Sequence, residues 1–395
     1  MTQPLIAYPL SEGERAIQRL ARELAEAVFR DRAARWDERE EYPWDNVKVL
    51  TEHSLMGMTI PRDYGGPGRS VLETVLAIEA VARVCGVTGR ILVDSNLGPV
   101  GVLVHSGTEA QKRTYLPRVL AGDKPAIAIS EPEAGSAASD LATTAVPNGD
   151  GWVLNGVKHW ITGGGVSRTY VVFCRFDGIP GAPGIGAVVV DAETPGLVVR
   201  RRQWAMGMRG IPEAEVVLAD CRVPRENLIV GAGGFGRLMA AYNGQRLGAS
   251  AVALGLAQGA LDEAAAYARE RRQFGRPIGE FQGLRWKLAD MAIEVEAARQ
   301  LIYRAAANAG TGLPDRDAVA ACKVVASETA VRVTNQALQV FGAKGYGRDC
   351  PVERMVRDAR MFTIAGGTVE MLRNLVANRL LGWVDRREGG AAHGL

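Results

Sequence analysis

The sequence predicts an α+β fold in three blocks: an N-terminal helical domain (1–122), a middle antiparallel β domain (123–232) and a C-terminal four-helix bundle (233–395). Three observations carry this. Apolar residues recur every three or four positions at both ends of the chain, short β-rich runs between Gly and Pro turns fill the middle, and no apolar run approaches the ~18 residues of a membrane span.

The elements follow in order. Ser11 and Glu14 form a capping box ahead of Ile17, Leu20, Leu24 and Val28, the spacing of a helix face. Pro61–Gly68 reads as a loop, after which Ser70 and Glu73 open a second helix, and a third stretch spans Glu109–Leu120. In the middle block, Trp152–Leu154, the pair Asn155-Gly156 and Val157–Trp160 read as strand, two-residue hairpin turn and strand. Tyr170–Phe176, Ile185–Val190, Leu197–Arg201 and Glu215–Leu218 continue as strands. Past Gly231–Gly236 come helices at Gln245–Arg271, Leu284–Ala309, Ala318–Phe341 and Val369–Leu381. Leu284, Leu288, Met291, Val295, Ala298 and Ile302 keep an apolar stripe, as a bundle requires.

Composition narrows the function. In 395 residues, 47 basic side chains against 44 acidic ones give a net charge of +3, no electrostatic case for a nucleic-acid partner. Five scattered cysteines without a C-x-x-C pair suit a reducing cytoplasm, and the four histidines, His53, His105, His159 and His393, share no metal-ligand spacing. Neither a membrane nor a metal is expected.

Several weak motifs remain. Ile127-Ala128-Ile129-Ser130-Glu131-Pro132 leads into Gly135-Ser136, a small-residue loop whose backbone amides and hydroxyls can approach a flat or anionic ligand. Trp160-Ile161-Thr162 places an indole and a hydroxyl together. Arg271, Gln273, Phe274 and Gln282 follow a helix; Gln339-Val340-Phe341-Gly342-Ala343 and Gly366-Gly367-Thr368 come later. Singly each reads as an ordinary turn or strand end. Together, in this order, they are specific.

Their arrangement over nearly the whole chain resembles the acyl-CoA dehydrogenase superfamily of FAD flavoproteins. The resemblance implies that Ile127–Ser130, Gly135, Ser136 and Trp160–Thr162 hold the isoalloxazine and ribityl parts of FAD. It implies that Arg271, Gln273, Phe274, Gln282 and Gln339–Ala343 hold the pyrophosphate and adenosine across a subunit interface of a homotetramer, with Thr368 and Glu370 at the adenosine end. Ser136, Tyr242, Asn243, Arg246, Gly366 and Gly367 match positions beside a bound acyl-CoA.

One expected part is missing. A dehydrogenase of this family uses a carboxylate to take the α-proton of the thioester while the flavin takes the β-hydride. Of the two family positions for that base, one is Gly366 and the other is Gln245, whose amide cannot accept a proton usefully. Losing a general base typically costs about 10²–10⁴-fold. In exchange, Arg90 stands where the acyl-pocket helix usually carries an aliphatic residue. A buried guanidinium needs an anion; Asp94, at i+4, offers one, and an anionic acyl tail offers another.

Gln245, Gly366 and Arg90 together resemble the desulfinase branch, which converts 3-sulfinopropionyl-CoA and water into propionyl-CoA and sulfite and needs no electron-transfer flavoprotein. There Arg90 would grip the substrate's anion and Gln245 would take a positioning role. The alternatives are a dehydrogenase for an anionic short-chain acyl-CoA whose base is displaced to Glu131 or Glu370, and a non-catalytic flavoprotein that binds acyl-CoA.

Overall fold

A computed structural model describes residues 4–383, so His393 lies outside the described residues. The N-terminal part is helical: α1 Glu12–Leu24, α2 Arg30–Arg39, α3 Trp44–Glu52, α4 Val71–Ala82, α5 Gly86–Asp94, α6 Pro99–Ser106 and α7 Glu109–Leu120. Both expected capping boxes form: Ser11 Oγ accepts from the Glu14 amide at 3.2 Å and Ser70 Oγ from the Glu73 amide at 3.1 Å, with each glutamate accepting in return. Each closes two backbone donors that a helix start leaves open.

The middle part is one sheet built from β1 Ala126–Ala128, β2 Thr144–Asn148, β3 Gly151–Thr162, β4 Thr169–Phe176, β5 Ile185–Asp191, β6 Leu197–Arg202, β7 Glu213–Pro224 and β8 Leu228–Val230. Its order is β6-β7-β3-β2-β4-β5-β8, with β1 beside β4. The sheet is antiparallel except that β1 and β2 each pair with β4 in parallel. The long connections from β1 and β2 to β4 permit a parallel return, which a tight hairpin cannot.

The expected hairpin at Asn155-Gly156 is not a turn. Both residues lie inside β3, where the pairing with β7 slips between Leu154 and Gly156 as a bulge. Asn155 is held in place from β7: the Asp220 amide donates to its Oδ1 at 2.8 Å, and its Nδ2 donates to Asp220 Oδ1 at 3.2 Å. The reversal is Gly149-Asp150, between β2 and β3, with Gly149 at φ +62°. β7 is also far longer than the expected Glu215–Leu218.

The C-terminal part has three long helices, α8 Phe235–Glu270, α9 Gln282–Ala309 and α10 Arg316–Phe341, closed by α11 Pro351–Arg360 and α12 Val369–Leu380. α8 begins at Phe235 rather than Gln245, and α11 was not expected. On α9, Met291, Val295, Ala298 and Ile302 are buried as the stripe predicts. The largest apolar core joins α4 and α5 to α8, so the N-terminal helices and the bundle share one interior. Among the described residues no helix is long and apolar enough to cross a membrane.

Candidate active site

The three parts meet at one carboxylate. Asp94, at the end of α5, is 2% exposed, and Arg90 stands one helical turn before it. Asp94 Oδ1 accepts from Arg90 Nη1 and from Gln245 Nε2, both at 2.8 Å, and Oδ2 accepts from Lys124 Nζ at 2.8 Å. Burial acts to raise the Asp94 pKa, but Arg90, Lys124 and these hydrogen bonds outweigh it and hold the carboxyl below its ordinary value. Arg90 thus finds its first anion inside the protein. Only Nη1 is engaged; the rest of its fork makes no hydrogen bond among the described residues.

Gln245 is wedged into this cluster. Its amide nitrogen is committed to Asp94, while Oε1 is buried with no partner. Glycine at position 98 makes the room, since a Cβ there would lie 1.9 Å from that oxygen.

Beyond it lies the loop at Gly366-Gly367, with φ of +77° and +94°. Arg246 Nε donates to the Gly366 carbonyl at 3.1 Å and Nη1 to Asn243 Oδ1 at 3.0 Å, with the guanidinium 5.6 Å from the centre of the Tyr242 ring. Lys323 Nζ donates to the carbonyls of Phe362 (3.0 Å) and Gly367 (2.8 Å), and its Cε lies 3.4 Å from where a Gly366 Cβ would be. Burial, with Arg246 and Arg90 adding to it, pushes the Lys323 ammonium down to about 7. Cations surround this position, and Gly366 supplies no carboxylate.

Neither suggested substitute base is suited to the task. Glu131 accepts from the amides of Ala142 (2.6 Å) and Thr143 (2.9 Å) and from Lys158 Nζ (2.8 Å). Burial works to raise it, but the Lys158 charge and these bonds hold it ionised below its ordinary value. Glu370 is exposed in the first turn of α12, where a backbone amide and Thr368 also lower it.

Sequence reasoning missed one carboxyl. Glu213, the first residue of β7, faces Thr162, the last of β3, in register, and Thr162 Oγ1 donates to its two oxygens at 2.9 and 3.0 Å. Thr162 also offers its carbonyl to Lys124 Nζ at 3.2 Å. Burial pushes Glu213 up to about 7; Arg90, the Thr162 bond and Lys124 hold it from rising further. Starting the β run at Glu215 left this residue in a turn, and only its acidic character ahead of an apolar run hinted at a role.

The remaining motif residues fall into two groups. On the sheet, Ala128 and Ile161 are buried, Ile127, Ile129 and Ser130 are half-buried, and Gly135 and Ser136 are exposed. Trp160 is 51% exposed on a left-handed backbone (φ +56°), strained for a bulky residue. On the bundle, Arg271, Gln273, Phe274, Gln282, Gln339, Gly342 and Ala343 are exposed, and Phe274 repeats the left-handed backbone at 92% exposure. Val340 and Phe341 instead pack inward, Phe341 stacking on Tyr267 at 4.3 Å, and Thr368 caps α12. No hydrogen bond, ion pair or ring contact joins the bundle group Arg271–Gln282 and Gln339–Ala343 to the Asp94 cluster among the described residues.

Comparison with known proteins agrees with this architecture. Residues 11–123, 126–221 and 232–381 match the N-terminal, middle and C-terminal domains of acyl-CoA dehydrogenase. The chain is 52% identical to a 3-sulfinopropanoyl-CoA desulfinase of Paraburkholderia xenovorans, covering 95% of this chain and 97% of that one. It is 51% identical to that of Cupriavidus necator, covering 95% and 96%. Butyryl-CoA dehydrogenase from Megasphaera elsdenii superposes with a TM-score of 0.92 at 34% identity, over 95% of this chain and 100% of that one. With matches to all three domains and full-length relatives above half identity, the chain belongs to the acyl-CoA dehydrogenase family of FAD flavoproteins.

Proposed function

We propose that the chain is a desulfinase, converting 3-sulfinopropionyl-CoA and water into propionyl-CoA and sulfite. The observation that carries this is the Gly366 loop: where a dehydrogenase needs a carboxylate, it presents backbone carbonyls held by Lys323 and Arg246, and Gln245 gives its amide to Asp94. The half-identical relatives bearing the desulfinase name support the same reading.

The residues fit a bound flavin nucleotide and thioester. Two exposed aromatics on strained backbone, Trp160 and Phe274, want cover, and the buried Gln245 Oε1 wants a donor. In this reading Ser130, Gly135, Ser136, Trp160 and Thr162 hold the isoalloxazine side. Arg271, Gln273, Phe274, Gln282, Gln339, Gly342 and Ala343 reach the adenosine half of a neighbour's FAD in a homotetramer. FAD, when bound, supplies a flat polarisable wall; the overall reaction is redox-neutral. Tyr242, Asn243 and Arg246 lie along the thioester. The free edge of the Arg90 fork grips the two sulfinate oxygens by parallel N–H bonds, which lysine cannot do.

The test is incubation with 3-sulfinopropionyl-CoA, with sulfite and propionyl-CoA assayed together. Equal amounts of both are expected. Anaerobic addition of butyryl-, succinyl- or glutaryl-CoA should leave the flavin oxidised. Rapid bleaching would make the protein a dehydrogenase, and tight binding with no turnover would make it a silent acyl-CoA carrier.

A further inference from the structure

Desulfination leaves one part unassigned, the proton that replaces sulfur on carbon. The reaction must deliver a proton to C3 of the acyl chain. The carboxyls around the pocket differ in what binds them. Asp94 is tied to two cations and an amide, and Glu131 to a lysine and two backbone amides, so both are held as anions. Glu213 is 7% exposed, and its side chain is hydrogen-bonded only to the neutral Thr162 hydroxyl among the described residues. A short chain of contacts ties it to the substrate-gripping arginine: Glu213 to Thr162 at 2.9 Å, Thr162 to Lys124 at 3.2 Å, Lys124 to Asp94 and Asp94 to Arg90 at 2.8 Å each.

We propose that Glu213 is the general acid of the desulfinase reaction, donating its proton to C3 as the C–S bond breaks. This rests on the desulfinase reading given above. The pair of electrons in the C–S bond stays with carbon and takes the Glu213 proton, giving the methyl group of propionyl-CoA. Water adds to the departing sulfur dioxide, forms hydrogen sulfite and returns a proton to the Glu213 carboxylate. Carbon is reduced, sulfur is oxidised, and no reactant other than water enters.

The surroundings suit an acid that is protonated at neutral pH. Burial favours the neutral form, and Asp94 on α5 adds to that; Arg90 on α5, Lys124 before β1 and the Thr162 hydroxyl on β3 oppose it. Tyr242 on α8 is the remaining titratable neighbour, and burial keeps its phenol protonated. The balance leaves Glu213 near 7, where a general acid works best.

The experiment compares wild type, Glu213→Gln and Glu213→Asp on 3-sulfinopropionyl-CoA across pH 6 to 9, with flavin content and oligomeric state measured for each. Wild type that releases no sulfite ends the desulfinase reading itself. Given wild-type turnover, its kcat should fall as pH rises through about 7. Glu213→Gln keeps the shape and the Thr162 bond but has no proton to give, so its kcat should drop at least ~10²-fold with KM little changed. Its residual rate should lose the basic limb, which Glu213→Asp should retain. If Glu213→Gln turns over within threefold of wild type, or keeps the same basic limb, the proposal is wrong. Should that variant fail to load flavin, the wild-type profile decides: a rate flat or rising from pH 6 to 9 overturns it.

Discussion

Arg90 has one anion inside the protein, Asp94, and in the proposed reaction the sulfinate would be its second. One nitrogen holds Asp94 at 2.8 Å, leaving the other edge for a ligand. Arg90→Lys should preserve the ion pair but lose the fork. A charge-assisted hydrogen bond contributes roughly 1.5–3 kcal/mol, so sulfite release should fall about 10–150-fold with flavin content unchanged. Release within threefold of wild type would reduce Arg90 to a brace for Asp94. Glu213 leaves a separate mark on stability. Its carboxyl is raised above its ordinary value, so between about 4.5 and about 7 the folded state holds a proton that the unfolded state has released, and the associated stability is lost across that window as pH rises. Glu213→Gln, neutral throughout, should gain on wild type between pH 4 and pH 8, by up to on the order of 3 kcal/mol. Thermal melts of the two proteins at both pH values check this; a constant difference would refute it.

Among the elements, the segment after β1 shows how a buried pair pins a loop. Lys158, fully buried on β3, donates to Glu131 Oε1 at 2.8 Å and to the Ile129 carbonyl at 3.0 Å. Glu131→Ala strands the lysine, and urea unfolding should show a loss of about 3–5 kcal/mol; a loss under 1 kcal/mol would mean that the loop relaxes around the cation. Such elements also show what a sequence can reveal. Capping boxes were legible because they close within four residues. The bulge at Asn155-Gly156 was not, because what keeps it extended is Asp220 on another strand, and local turn chemistry carries no trace of that partner. The family and the lack of a carboxylate at Gln245 and Gly366 could be read from motif order and residue type. Glu213 could not, because its meaning comes from facing Thr162 across a strand pair.

At the scale of the molecule, the proposed homotetramer would have exposed apolar side chains to cover. Phe274 (92%), Tyr346 (86%), Trp286 (63%) and Ile293 (58%) stand out from the bundle. Covering them against sister chains would also bring Phe274 and Gln339 to a neighbour's nucleotide. Light scattering on the purified protein should give four chains carrying about one FAD each, and a monomer that retains tight FAD would contradict the arrangement. The Asp94 junction bears on how such a protein matures. Its three donors come from all three parts of the chain, and the last to be synthesised, Gln245, lies 151 positions downstream of Asp94. A nascent chain that has finished the helical part and the sheet therefore still lacks one of the three donors to Asp94. The set of three donors to Asp94 closes only when the bundle docks, so a chain that stops short of α8 leaves the buried carboxylate one hydrogen bond short.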